Sequence, residues 1–282
     1  MRWDAGIGSD VTAVPIGRRL GLTLVLASAL GVLAFGWPLL VDAGAALDDT
    51  TSAPVVLALV VAAGLAVLLV GVNDGGLDVK AIAVLGLLSA VGAILRPLAA
   101  GTGGVETVFI LVVLGGRVFG PGFGFLLGST TIFASALLTG GVGPWLPFQM
   151  LAASWVGLGA GMLPRRLRGW WEIAVLAGYG ALAAVLFGTA LNLSFWPFLI
   201  GSGTEISFVA GAPVGENLRR FLLYSVATSL PWDLGRAITT AVGIAVAGYP
   251  VLATLRRAAR RAAFGPAARS GPGPRPAAKA GS

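Results

Sequence analysis

Residues 105–140 read VETVFILVVLGGRVFGPGFGFLLGSTTIFASALLTG, with only two ionisable side chains among them, Glu106 and Arg117. Two apolar runs are joined by the turn Arg117-Val118-Phe119-Gly120-Pro121-Gly122. A membrane-spanning helix needs about 20 apolar residues to cross about 30 Å of hydrocarbon. The run from 121 to 140 reaches that length and the run from 105 to 117 falls short of it. A short, Gly/Pro-broken span is tolerated only where neighbouring protein satisfies its backbone, so the shorter run is expected inside a bundle. The stretch therefore predicts an all-α, polytopic helical membrane protein.

Composition agrees. Apolar residues make up 56% of the 282 residues and charged residues 11%, far below the charge fraction of ordinary globular domains. There is no cysteine and no histidine, which removes disulfides, thiol chemistry and the commonest general base and metal ligand. The formal charge of +7 does not mark a nucleic-acid binder, because the charges sit at helix ends and in the tail. Eight spans are expected, at roughly 20–41, 54–73, 80–99, 105–117, 121–140, 145–163, 171–193 and 231–253. The apolar run after Arg18-Arg19 is too long for a signal peptide and lacks a small-residue cleavage pattern, so it is read as a retained helix. Beyond Phe264 the Gly/Pro/Ala-rich tail is too poor in apolar surface to fold.

Lys and Arg in short loops orient such a bundle. With the N-terminus inside, the cytoplasmic side collects Arg2, Arg18, Arg19, Lys80, Arg117, Arg165, Arg166, Arg168, Arg256, Arg257, Arg260, Arg261, Arg269, Arg275 and Lys279. The outer side receives Arg96, Arg219, Arg220 and Arg236, and its first loop carries Asp42, Asp48 and Asp49. An even number of spans with both termini cytoplasmic, in the plasma membrane, is the expectation.

Small residues recur every four positions: Gly120, Gly124 and Gly128; Ala153, Gly157 and Gly161; Gly180, Ala184 and Gly188. Such faces let helix backbones approach where lipid supplies no drive for association, and internal packing is their expected use. Gly86/Ala90 and Ser89/Ala93 on the third span suit internal packing and a face for a partner helix about equally. Polar and aromatic side chains gather toward the outer ends of the spans: Arg96, Thr102, Glu106, Trp145, Gln149, Asn192, Trp196, Trp232, Asp233 and Arg236. Ionisable groups at membrane depth usually face a cavity or a partner, and aromatic walls with a few convergent polar groups describe a ligand pocket. An interfacial aromatic belt accounts for the tryptophans equally well. Asp233 and Arg236, three residues apart, have the spacing of a helix ion pair. Glu106 follows the Gly103-Gly104 turn near a helix start, where a carboxylate is favourable in any case. The segment from Ser194 to Arg220 is read as a lid.

No Gly-rich phosphate loop, paired-aspartate or His/Glu metal motif is present, and no chain of carboxylates runs through the spans. No catalytic residue, cofactor or metal is expected, and a binding site without an energy source points to a subunit of a larger assembly. Two other readings stand beside it: a membrane enzyme acting on a lipid or isoprenoid, with Glu106 or Asp233 as acid/base, and a non-transporting scaffold.

Between residues 79 and 255 a family resemblance emerges. Arg96-Pro97, Gly103-Gly104-Val105-Glu106-Thr107-Val108-Phe109, Gly116-Arg117-Val118-Phe119-Gly120-Pro121-Gly122-Phe123-Gly124, Leu138 to Met150 and Trp232-Asp233-Leu234-Gly235-Arg236-Ala237 resemble the substrate-binding S components of energy-coupling factor (ECF) transporters. The likeness is greatest to the cobalamin-type actinobacterial branch. It implies a six-helix core over 79–255 that captures a vitamin-like small molecule, cobalamin among them, at the outer face. It also implies a transmembrane coupling subunit and two cytoplasmic ATPases as partners, with toppling in the bilayer to release ligand inside. The polar residues named above would then bind ligand. The family's Ala-xxx-Ala docking face is replaced here by Gly86, Ser89, Ala90 and Ala93. Residues 1–19 would be a cytoplasmic segment, 20–78 a two-helix extension, and 256–282 a basic, disordered tail.

Overall fold

The computed structural model describes residues 17–40, 49–74, 77–98, 103–199 and 203–262. The helices are α1 (Arg18–Gly36), α2 (Asp49–Asn73), α3 (Val79–Leu95), α4 (Val108–Phe119), α5 (Pro121–Thr139), α6 (Leu146–Met162), α7 (Gly169–Leu199), α8 (Val214–Tyr224) and α9 (Leu230–Ala262). Short 3-10 turns at Trp37–Leu39 and Arg96–Leu98 extend α1 and α3. No strand occurs among the described residues. Each expected span is a helix, and α8 is an addition. Four helical stretches are long and apolar enough to cross a membrane. Large apolar side chains point outward along them, Leu22 at 61% and Val246 at 77% exposure for example. That is the surface of a molecule solvated by lipid, since a water-soluble monomer rarely exposes contiguous apolar area on this scale.

The centre is α5. Two thirds (67%) of its apolar window is buried, against 28% for α1 and 33% for α7. It lies against α6 with no side chain between the backbones. A Cβ on Gly124 would meet the Gly157 carbonyl, one on Gly128 would meet the Ala153 carbonyl, and one on Gly161 would meet Gly120 and Pro121. The small-residue faces of α5 and α6 thus pack on each other, the internal use expected of them.

The chain enters α5 through Gly120, whose φ of +101° lies where only glycine is comfortable. That break ends α4 after 12 residues, about 18 Å at 1.5 Å per residue. Such a helix cannot span the hydrocarbon. Its residues are nearly all buried, and a Cβ on Gly116 would strike the Gly157 backbone. The short span is therefore wrapped by its neighbours, as its backbone requires.

Around this centre, α7 packs on α9, with Gly180 against Thr240 and Ile244. α3 flanks α5; Asp78 caps it by accepting the Ala81 backbone N–H at 2.8 Å, the role a short acidic side chain fills at a helix start. α1 and α2 cover α5, α6 and α7 on another side. There Gly31 admits Leu151 and Trp155, the Trp155 indole donates to Ser28 Oγ at 3.2 Å, and the Trp37 indole donates to the Ser194 carbonyl at 3.2 Å.

At the end of the bundle where α4 stops, three helices are tied by charge. Glu172 of α7, 3% exposed, receives Arg117 Nε of α4 at 2.7 Å and Arg256 Nη2 of α9 at 2.6 Å. Arg117 also donates to the carbonyls of Leu163 and Pro164, at 2.9 and 3.1 Å, holding the α6–α7 connection. α9 runs on to Ala262, so the tail expected to begin at 256 is helical for its first turns. Arg256, engaged by Glu172, anchors that extension.

Removing one member of a buried ion network leaves the others uncompensated, at a cost of about 3–5 kcal/mol. Glu172→Ala should therefore lower stability by about that amount, read as a lowered midpoint of denaturant unfolding in micelles; an unchanged midpoint would refute the role assigned to Glu172.

Candidate functional site

At the opposite end, the turn before α4 is pressed onto the start of α9. A Cβ on Gly104 would collide with the Trp232 carbonyl, and one on Gly235 with the Gly103 carbonyl. Gly103 and Gly104, with φ of +54° and +79°, make the turn that permits this contact. The contact carries Glu106 to Arg236. Glu106 Oε2 lies 3.7 Å from Arg236 Nε, and its Oε1 lies 3.4 Å from Arg96 Nε at the end of α3. Arg96 donates to Gln149 Oε1 of α6 at 3.1 Å, so the uncharged amide of that span has found a cross-helix partner.

Arg236 is held from three sides. Its Nη1 donates to Asp233 Oδ1 at 2.7 Å, and its guanidinium lies 5.4 Å from the centre of the Phe187 ring, within cation–π range. Asp233 tucks against Gly188 of α7, where any Cβ would displace its carboxylate. Exposures are 21% for Arg96, 19% for Glu106, 16% for Arg236 and 9% for Asp233. Two cations and two anions thus share a site screened from water.

Beside them opens a cavity of about 300 Å³, lined by Arg96, Pro97, Gly104, Val105, Glu106, Ser135, Thr139, Trp232 and Arg236. Two buried polar atoms in its wall, Arg236 Nε and Ser135 Oγ, have no hydrogen-bond partner. Buried polar atoms are nearly always satisfied; these two have almost no accessible surface in this conformation, so a ligand could reach them only after a small side-chain shift.

Five residues singled out in the sequence, Arg96, Glu106, Gln149, Asp233 and Arg236, form this network, and Trp232 joins the cavity wall. Trp145 is 46% exposed at the start of α6, beside Gly143, outside the lining. Asn192 lies on α7, its amide Nδ2 buried and unpartnered, also outside the lining. Trp196 requires a correction. It is fully buried, its indole donates to the Ile206 carbonyl at 2.7 Å, and Phe208, Phe221 and Tyr224 surround it. It therefore centres a small separate core. That core also revises the lid: α7 continues to Leu199 and α8 forms over Val214–Tyr224. Asn217 fastens the connection by donating to the Val209 carbonyl at 2.8 Å and accepting its N–H at 3.2 Å.

Thr102 lies outside the described residues, as do Arg2, Asp42, Asp48, Gly201, Ser202, Arg269, Arg275 and Lys279. The partner face on α3 divides. Ser89 shares a 2.6 Å hydrogen bond with Thr130 and Ala93 is fully buried, so both face the bundle, while Gly86 and Ala90 are exposed. Sequence reasoning missed Ser135 and Thr139. With Thr131 they repeat every four residues along α5, and that spacing was the available signal.

The family model for the substrate-specific component of ECF transporters matches residues 80–248, more than half of the 282-residue chain. The chain belongs to this family. An S component is a substrate-binding subunit of a membrane transporter and not an enzyme, which answers the lipid-enzyme reading. It works with a coupling component and ATPase components on a small-molecule substrate, as an integral protein of the plasma membrane. No curated protein and no solved structure matches this chain. The match covers α3 to α7, α8 and most of α9, and the cavity lies wholly within it.

The backbone contact between the Gly103-Gly104 turn and α9 gives a direct test. Gly235→Ala should overpack it and lower stability by about 1–3 kcal/mol, read by thermal unfolding in micelles. Gly86→Ala, at an open helical position, should be neutral or stabilising by up to about 1 kcal/mol. Equal behaviour of the two variants would show that the contact carries no weight.

Proposed function

We propose that the chain captures a vitamin-sized substrate from outside the cell and hands it to an ATP-driven import machine. The observation that carries this reading is the cavity flanked by Arg96, Glu106 and Arg236, at the opposite end of the bundle from the Arg117–Glu172–Arg256 cluster. The surplus of Lys and Arg near that second cluster, including Arg165, Arg166, Arg168 and Arg257, supports a cytoplasmic position for it. Both termini then lie inside and the cavity faces out. Gln149, by holding Arg96, keeps a guanidinium at the cavity wall, and Trp232 supplies an aromatic surface. Trp145, Asn192 and Trp196 are assigned no direct contact.

Residues 79–255 serve in this reading as the transporting core and 20–78 as an extension packed on its flank. The transmembrane coupling subunit docks on the exposed side of α3, where Gly86 and Ala90 leave a shallow small-residue groove, and two cytoplasmic ATPases drive release. The cobalamin-type ligand suggested by the sequence has less support, because a corrin ring with its side chains is several times larger than a cavity of about 300 Å³.

Reconstitution with coupling and ATPase subunits in liposomes should give ATP-dependent accumulation of a vitamin-sized solute; none across a vitamin panel would refute the proposal. Replacing Gly86 and Ala90 together by Leu should leave substrate binding intact and reduce co-purification with the coupling subunit, and undiminished co-purification would move the docking face elsewhere. Gln149→Ala should weaken binding about tenfold, the effect of one lost supporting hydrogen bond, with the fold unchanged by circular dichroism.

A further inference from the structure

Resting on the reading of this cavity as the substrate site, we propose that its ligand is an uncharged, flat heterocycle bearing an imide edge, an N–H between two carbonyls, read jointly by Arg96, Glu106 and Arg236.

Charge comes first. Arg96 and Arg236 are balanced by Glu106 and Asp233, and none of the four is more than 21% exposed. A ligand carrying net charge would bring an uncompensated ion into a partly dehydrated site, which is costly. A neutral ligand leaves the balance intact.

Unused hydrogen-bonding capacity comes second. Asp233 is occupied by Arg236 Nη1 at 2.7 Å. Glu106 is not occupied in that sense, because its guanidinium neighbours stand at 3.4 and 3.7 Å, beyond ordinary hydrogen-bond distance. A carboxylate with open lone pairs, set between two guanidinium groups, presents an acceptor flanked by donors. The complementary edge is a donor flanked by acceptors, which an imide supplies on one side of a ring. Its N–H would go to Glu106 and its carbonyls to the two arginines.

Size and shape come third. The cavity of about 300 Å³ sits at the small end of ligand pockets, enough for two or three fused rings. Trp232 in its wall offers a face on which such a ring can stack.

The test uses the full chain in lipid nanodiscs, with empty nanodiscs as blank. Binding of 1,8-naphthalimide is compared by fluorescence titration with that of N-methyl-1,8-naphthalimide, which lacks only the imide N–H. Nicotinate, thiamine and cobalamin are titrated by calorimetry as small anion, cation and large ligand. The expected result is saturable binding of the imide, weakened roughly tenfold or more by methylation. Glu106→Gln should weaken imide binding and, by leaving the site with net positive charge, introduce binding of nicotinate. A folding defect would not create a new affinity. Equal binding of the two naphthalimides, no binding of either, or tighter binding of nicotinate, thiamine or cobalamin by the parent would overturn the imide assignment. In those cases ATP-dependent uptake of any vitamin by the reconstituted importer would still uphold the transport reading, and absence of all uptake would bring down both.

Discussion

The close approach of α5 and α6 at Gly124, Gly128, Ala153 and Gly157 sets the position of the other helices. In a bilayer the lipid tails are as apolar as leucine, so helices are held by packing and by polar contacts. Two backbones in direct contact give a rigid seam. α4 can be too short to cross because that seam, through Gly116 against Gly157, gives it a wall to lie on. With α4 fixed there, its two ends are fixed as well. Arg117 is delivered to Glu172 and Arg256, and Glu106 to Arg96 and Arg236.

The two ends use similar residues differently. At Glu172 the distances are 2.6 and 2.7 Å, and further donors of Arg117 are taken up by loop carbonyls. That cluster is closely bonded and behaves as a fastener. At Glu106 the distances lengthen to 3.4 and 3.7 Å, orphaned atoms line the wall, and a cavity opens. An ion network can hold a fold or stay ready for a ligand, and the lengths and leftover valences separate the two cases.

The spans were legible in the sequence because burial in lipid requires long apolar runs, and those runs survive any rearrangement of neighbours. Arg96, Glu106 and Arg236 were legible for the converse reason, since an ion at membrane depth must be accounted for. α8 was not legible: it is short and amphipathic and follows a Gly/Pro-rich stretch, so no apolar run marks it. Trp196 was placed in the ligand site because an aromatic near a helix end looks the same whether it faces a cavity, an interface or a core. Only the fold of residues 203–224 around it decides. Ser135 and Thr139 escaped notice because helical hydroxyls commonly bond to the preceding turn, as Thr139 does to the Ser135 carbonyl at 2.9 Å. Which hydroxyl remains free depends on the neighbouring helix.

The 12 residues of α4 also have a consequence for depth. α5 starts beside the lower end of α4 and rises for 19 residues, about 28 Å, whereas α4 rises about 18 Å. The start of α4 therefore falls short of the top of α5 by up to about 10 Å, with Glu106 two residues before that start. With the cavity facing outward as proposed, a ligand there would lie between helix ends and not above them. In that orientation the missing turns of one helix would leave a recess that no longer helix in the same place could offer.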